Sequence, residues 1–187
     1  MLLVPVLTQA GVPLERAIAA SLLGFLVAGL YAAFVHLRRA RLEMQPVIML
    51  CVAAAAGAAF GASTLDRLPA GAVRLFIALL CLASGVNALV SRRPADTHIP
   101  SSRMLGGLGL AVGYASAISG TGGPVTLIPL LLALRTPAMA AVALGLAAQL
   151  PIALSATMVY GMEGRLDPAL GATLGVLLVA GTYAGAR

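Results

Sequence analysis

Residues 119–131 read Ser-Gly-Thr-Gly-Gly-Pro-Val-Thr-Leu-Ile-Pro-Leu-Leu and lie in the middle of the uncharged run 104–134. Glycine permits dihedral angles that a helix does not use, and Pro124 lacks a backbone donor. Proline also disfavours helix at the preceding residue, Gly123. The sequence therefore predicts two half-helices, 104–118 and 125–134, joined by an unwound turn.

The chain around this turn is too apolar for a soluble domain. Hydrophobic residues make up 60% of its 187 residues and charged residues 10%, against roughly 45–50% and 25% in soluble domains. Uncharged runs of about 20 residues can cross a hydrocarbon core of about 30 Å as helix. They are apolar on all sides, whereas transmembrane strands alternate, so we predict an all-α transmembrane fold. The predicted spans are 17–37, 42–65, 75–91, 104–134, 136–162 and 168–186.

The chain is also internally duplicated. Residues 3–62 align without a gap with residues 127–186, a shift of 124, and 19 of the 60 pairs are identical; composition alone would give roughly 6. The matches include Pro5 with Pro129 and Pro13 with Pro137, which punctuate structure rather than fill it. We predict two repeats of period 124, each with a glycine-broken helix or re-entrant hairpin plus three spanning helices.

This shift predicts the organisation of the chain. The first membrane repeat is 1–90, the linker 91–103 and the second membrane repeat 104–187. Residues 101–124 have no counterpart in the first repeat, so it is expected to lack its N-terminal half-helix and glycine turn. Residues 63–90 have none in the second repeat, which is expected to lack its last helix. Two full periods would need about 250 residues, so we expect a chain truncated at both ends.

The charges predict the topology. The net charge is +6, and the arginines gather at span ends rather than on a soluble face, so nucleic acid is not an expected partner. Segments 36–43 and 91–103 are strongly basic and are predicted to be cytoplasmic. Segment 160–167, the counterpart of 36–43, is net acidic. This difference favours inverted repeats, although parallel repeats stay open if the broken segment crosses the membrane once.

The glycine turn is the predicted substrate site. Unwound backbone in a bilayer must be buried in protein or line a watery cavity, and discontinuous helices mark transporter sites. The half-helix from Val125 presents free N–H groups and a positive dipole end, which suit an oxyanion. A glycine-rich packing face with a proline kink is the alternative. The predicted binding residues are Ser119, Gly120, Thr121, Gly122, Gly123 and Gln149.

Two further patterns concern helix contacts. Gln149 is the most polar side chain deep in an apolar run, and it either lines a pore or makes an interhelical hydrogen bond. Glycine pairs with GxxxG spacing predict close helix packing. These pairs are Gly57/Gly61, Gly109/Gly113 and Gly181/Gly185.

These residues resemble the sulfite exporter TauE/SafE family of membrane permeases. The resemblance covers essentially the whole chain, although Pro124 stands where that family usually has a third consecutive glycine. It is carried by residues 119–131, Tyr160, Gly164, Arg165, Asp167, 3–7, 17–21 and 36–39. The resemblance implies a secondary transporter of small anions, such as sulfite, sulfonates or other organosulfur or carboxylate anions.

The sequence contains no pattern typical of an enzyme. It has no nucleophile–base pair, metal cluster or phosphate loop, so we predict no catalytic residue, cofactor or metal. The expected partners are a small anionic substrate and the lipid bilayer of a bacterial-type inner membrane, and a homo-oligomer stays open. The alternative function is that of a non-transporting membrane assembly protein or a decayed fragment of a permease.

Overall fold

The computed structural model describes residues 3–36, 44–90 and 100–185. These residues form helices and no strand, which confirms the all-helical prediction. The basic segment 37–43 and residues 91–99 of the predicted linker lie outside the described residues. The helices are α1 (Leu3–Gln9), α2 (Leu14–His36), α3 (Met44–Thr64), α4 (Ala70–Val90), α5 (Ser102–Ser119), α6 (Pro124–Ala133), α7 (Ala138–Met162) and α8 (Pro168–Gly185), with a 3-10 turn at Leu65–Arg67.

Proline lies at or just before the start of five of the helices. Pro124 and Pro168 are the first residues of α6 and α8, and Pro13, Pro69 and Pro137 immediately precede α2, α4 and α7. Proline fits these positions because N–H groups of the first turn have no acceptor within the helix. The starts of α2 and α7 consequently lie 124 residues apart, as do those of α3 and α8.

Helices α3 and α5 run parallel in very close contact. A Cβ added at Gly57 would overlap the Leu110 carbonyl, and one added at Gly113 would overlap the carbonyl of Ala54. At Gly61 an added Cβ would lie 2.7 Å from the Tyr114 carbonyl oxygen. Two of the three GxxxG pairs therefore pack backbone against backbone. In contrast, an added Cβ at Gly181 on α8 meets nothing within 4 Å.

Helices α2 and α7 form the centre of the bundle and run antiparallel. The start of α2 lies beside the segment after α7, because Glu15 Oε2 is 3.9 Å from Arg165 Nη1. Their middles meet where Gln149 Nε2 donates a 2.9 Å hydrogen bond to the Phe25 carbonyl. Helix α8 packs on α2, and α3 packs on α7. The largest fully buried side chains include Ile18, Leu22, Leu50, Leu105, Leu127, Leu131, Leu144, Ile152 and Tyr160.

The outer surface of this bundle is apolar. Large side chains such as Phe60, Leu82 and Leu177 are exposed, as expected where lipid replaces water. Within the described residues, α3 and α7 are long and apolar enough to cross a membrane, and α4, α6 and α8 contain shorter apolar stretches. Crossing by the other predicted spans stays a prediction.

Candidate functional site: the glycine turn between α5 and α6

The predicted break in the 104–134 run is a tight turn at the end of α5. Gly120 caps α5 in the left-handed conformation (φ 67°), and Gly122 and Gly123 also have positive φ, of 74° and 102°. A side chain at any of these positions would be strained. The observed helix ends lie within two residues of those predicted for the two half-helices.

The turn reverses the chain. Ser116 Oγ lies 3.2 Å from Thr126 Oγ1, although ten residues separate them. In one straight helix these residues would lie about 15 Å apart. Thr126 also donates a 2.9 Å hydrogen bond to the Gly123 carbonyl and so ties the first turn of α6 to the glycine turn. Helices α5 and α6 therefore form a hairpin.

The two predicted hydroxyl ligands bond to the turn itself. Ser119 Oγ donates to the Ala115 carbonyl at 2.7 Å and lies 2.9 Å from Thr121 Oγ1. Because Ser119 uses its only proton on Ala115, Thr121 is the donor in the second bond. Both side chains are buried. In this conformation neither hydroxyl proton is directed to a ligand.

The backbone of the turn, in contrast, has donors to spare. Gly122 and Gly123 are buried, and their N–H groups have no acceptor among the described residues. Buried backbone donors are paired in more than 90–95% of cases. These two N–H groups stand next to each other immediately before α6, where the helix dipole places partial positive charge. They are the strongest sign of a ligand site in this part of the chain.

The turn is closed on the sides where its glycines lack side chains. An added Cβ at Gly122 would lie 2.8 Å from the Phe25 ring, and one at Gly123 would lie 2.8 Å from Ile152 Cδ1. At Gly120 the nearest atom is Val4 Cγ2, also at 2.8 Å. Side chains of α1, α2 and α7 therefore cover the turn on these sides.

Gln149 lies beside this turn, on α7. Its backbone passes Gly123, with Cα 3.8 Å from a Cβ added there, and its side chain is only 6% exposed. The bond to the Phe25 carbonyl uses one of the two N–H donors of its amide. Of the two roles that the sequence left open, the structure shows the interhelical hydrogen bond, at a position next to the turn.

The structure adds contacts that the sequence did not single out. Tyr160 is wholly buried, and its hydroxyl donates a 3.1 Å bond to the Ala117 carbonyl, just before the turn. Phe25 covers Gly122. Phe25 and Gln149 are counterparts under the shift of 124, but the spacing alone does not show that they meet.

The region outside the turn carries charge but no metal-binding cluster. Arg165 Nε lies 3.5 Å from Glu163, and Asp167 caps α8 by accepting a 3.0 Å bond from the Leu170 N–H. In the described part of the chain, no group of three or more His, Cys, Asp or Glu residues is placed to hold a metal ion.

A helical bundle with long apolar helices and a glycine-broken hairpin at its centre is typical of membrane transport proteins. The comparison with protein families identifies the family to which the chain belongs. The chain belongs to the sulfite exporter TauE/SafE family, whose family model matches residues 1–187. No curated protein and no solved structure matches the chain.

Proposed function

We propose that this protein is a secondary transporter of small anions, such as sulfite, sulfonates or other organosulfur or carboxylate anions, and that it binds them at the glycine turn. The observation that carries the proposal is the pair of buried N–H groups of Gly122 and Gly123, which have no acceptor in the described part of the chain. An anion is the ligand that two adjacent donors at a helix N-terminus attract most strongly.

The absence of a fixed charge at this turn suits transport. Residues 104–134 contain no ionisable side chain other than the terminal phenol of Tyr114. A buried arginine would hold an anion tightly and costs about 2.5–3.5 kcal/mol in the middle of a membrane helix. Backbone donors bind more weakly, and a transported ion must leave as well as enter. Ser119 and Thr121 can join the N–H groups if their hydroxyls rotate away from their present partners.

The contacts of α2 and α7 support an inverted arrangement of the proposed repeats 1–90 and 104–187. These helices are counterparts under the shift of 124, and they run antiparallel. Phe25 and Gln149, which share a hydrogen bond, are themselves counterparts. If a two-fold axis relates the repeats, a residue can contact its own counterpart only close to that axis. Because the two counterpart helices run antiparallel, the axis must be perpendicular to them, as in inverted repeats.

The charges support the same topology. We take α5 and α6 as a hairpin that enters the membrane and returns on the same side. Each helix end outside the hairpin turn can then be assigned to one of the two sides of the membrane. One side, proposed as cytoplasmic, holds eight arginines and two carboxylates, and the other holds four of each. This distribution follows the positive-inside bias, which supports a bacterial-type inner membrane with segment 91–103 in the cytoplasm. The cytoplasmic arginines are Arg38, Arg39, Arg41, Arg92, Arg93, Arg103, Arg135 and Arg187.

Anion flux into proteoliposomes tests the proposal. Gly122→Leu and Gly123→Leu would fill the turn from the sides of Phe25 and Ile152 and should abolish flux of radiolabelled sulfite and of a short alkylsulfonate. Gly107→Leu is the matched control, because a side chain at Gly107 meets nothing within 4 Å. Thr121→Val tests the hydroxyl separately. Normal flux in correctly inserted Gly122→Leu and Gly123→Leu proteins would exclude the turn as the site.

A further inference from the structure

A cavity of about 470 Å³ lies between helix α1, the start of helix α2 and helix α4. No described residue of α7 lines it. Its walls are mainly apolar. They include Val4 and Thr8 from α1, Leu14 from α2, and Arg74, Ile77 and Ala78 from α4. In the proposed topology, α1 ends and α4 begins on the non-cytoplasmic side, so the cavity opens there.

Val4 lies between this cavity and the first glycine of the turn, Gly120. Val4 lines the cavity and is also the residue nearest to Gly120, with its Cγ2 2.8 Å from a Cβ added there. Only 3% of Val4 is exposed. A change of the Val4 rotamer, or a small shift of the seven-residue helix α1, would therefore open the cavity towards Gly120.

Arg74 gives the cavity its charge. Among the described residues that line the cavity it is the only ionisable one, and it makes no ion pair with any described residue. Arg74 is itself exposed, so solvent screens its charge in part, but the apolar walls on its cavity side are less polarisable than water and weaken that screening. The cavity therefore attracts anions and repels cations.

We infer that this cavity is the outer access route by which an anion reaches the glycine turn, with Arg74 recruiting the anion and Val4 closing the inner end. This inference rests on the proposed function, which supplies the site at the turn. Arg74 lies in the vestibule and does not touch the bound anion at the turn. Its role is to raise the local anion concentration.

Thiol chemistry tests the cavity without a flux measurement. Ala78→Cys places a thiol in the cavity wall of a chain whose Cys51 and Cys81 are replaced by alanine. Its reaction rates with an anionic and a cationic methanethiosulfonate of similar size are measured in proteoliposomes. The anionic reagent should be favoured, and Arg74→Gln should lower the ratio of the two rates by about tenfold. Arg67 is exposed and does not line the cavity, so Arg67→Gln is the matched control and should leave the ratio unchanged.

Flux measurements test the route. Arg74→Gln should raise the KM for radiolabelled sulfite several-fold with kcat little changed. Arg74→Lys, which keeps the positive charge, should have a KM close to that of the wild type. Modification of Ala78→Cys should block flux. Wild-type flux that resists both changes would overturn the access route and leave the site at the turn intact. A thiol that reacts in detergent but not in a bilayer would show that lipid fills the cavity, which also overturns the inference. Lack of any wild-type anion flux would instead refute the proposed function, and the access route with it.

Discussion

The close contact of α3 and α5 predicts that methyl groups at Gly57 and Gly61 destabilise the protein, whereas the same change elsewhere does not. Gly61→Ala would place Cβ 2.7 Å from the Tyr114 carbonyl oxygen, and Gly57→Ala would overlap the Leu110 carbonyl. Both obstacles are backbone atoms, which cannot swing aside as a side chain end can. The helices themselves must separate.

The required separation sets the magnitude. Ordinary contacts begin at 3.4 Å, so Gly61→Ala needs a local shift of about 0.7 Å. A gap of about 0.5–1 Å forfeits about a quarter to a half of each dispersion contact across the interface. Dispersion is a main source of helix association in lipid. We expect each variant to lose about 1–3 kcal/mol of unfolding free energy, with Gly57→Ala at the upper end.

Two glycines on the same kinds of helix provide controls. An added Cβ at Gly107 on α5, or at Gly181 on α8, meets nothing within 4 Å. Alanine at these positions should be neutral or should stabilise the helix by up to about 0.5–1 kcal/mol. Because Gly181 is the counterpart of Gly57 under the shift of 124, this pair compares the same motif with and without a neighbouring helix among the described residues.

Unfolding by sodium dodecyl sulfate in mixed micelles, followed by far-ultraviolet circular dichroism, measures these differences. Tryptophan fluorescence is not an option because the chain has no tryptophan. Wild-type stability in both Gly57→Ala and Gly61→Ala would refute the close packing of α3 and α5. Equal destabilisation in Gly107→Ala and Gly181→Ala would show that glycine matters for a reason other than packing.

Three further changes test contacts around the site, by the same unfolding assay. Gln149→Met removes the bond to the Phe25 carbonyl at similar size and should cost about 0.5–1.5 kcal/mol; no loss would show that the bond is not formed. Asp167→Ala removes the cap of α8 and should cost about 1 kcal/mol, whereas Asp167→Ser should keep most of it. Arg165→Gln should cost at most about 1 kcal/mol, because Glu15 is half exposed, and high salt should abolish the difference; a larger, salt-resistant loss would contradict this.

The sequence predicted the ends of the two half-helices within two residues because they depend on local constraints, whereas α4 begins five residues before the predicted span 75–91, which was placed after Arg74 although the helix includes it. Pro124 and the glycines before it restrict the backbone wherever they occur, so the break in 104–134 was evident without any tertiary information. The close packing at Gly57 and Gly113 was equally accessible, since the spacing of small residues marks a helix face. The short helix α1 was not set out from the sequence, because its seven residues are too few to show a helical period.

The contacts between helices were harder to predict from the sequence. Which atom accepts a hydrogen bond from Gln149 depends on how α2 and α7 cross, and the Phe25 carbonyl carries no signal in the letters of the sequence. The hydroxyls of Ser119 and Thr121 appeared as free donors in the sequence, but the fold brings them within 2.9 Å of each other. Local composition indicates which groups are near a turn, whereas their mutual geometry decides which protons remain free.

The pairing of Phe25 with Gln149 bears on how the turn could open. Two counterpart positions that meet at a two-fold axis would make equivalent contacts if their residues were the same. Here one is an aromatic ring that covers Gly122, and the other is an amide beside Gly123. The amide reaches the backbone of α2, so a shift of α2 that removes the Phe25 ring from Gly122 must also stretch or break the bond from Gln149. If α2 shifts in this way, uncovering Gly122 and freeing the Gln149 amide are one movement, and the proposed anion site would gain a donor in addition to the route past Val4.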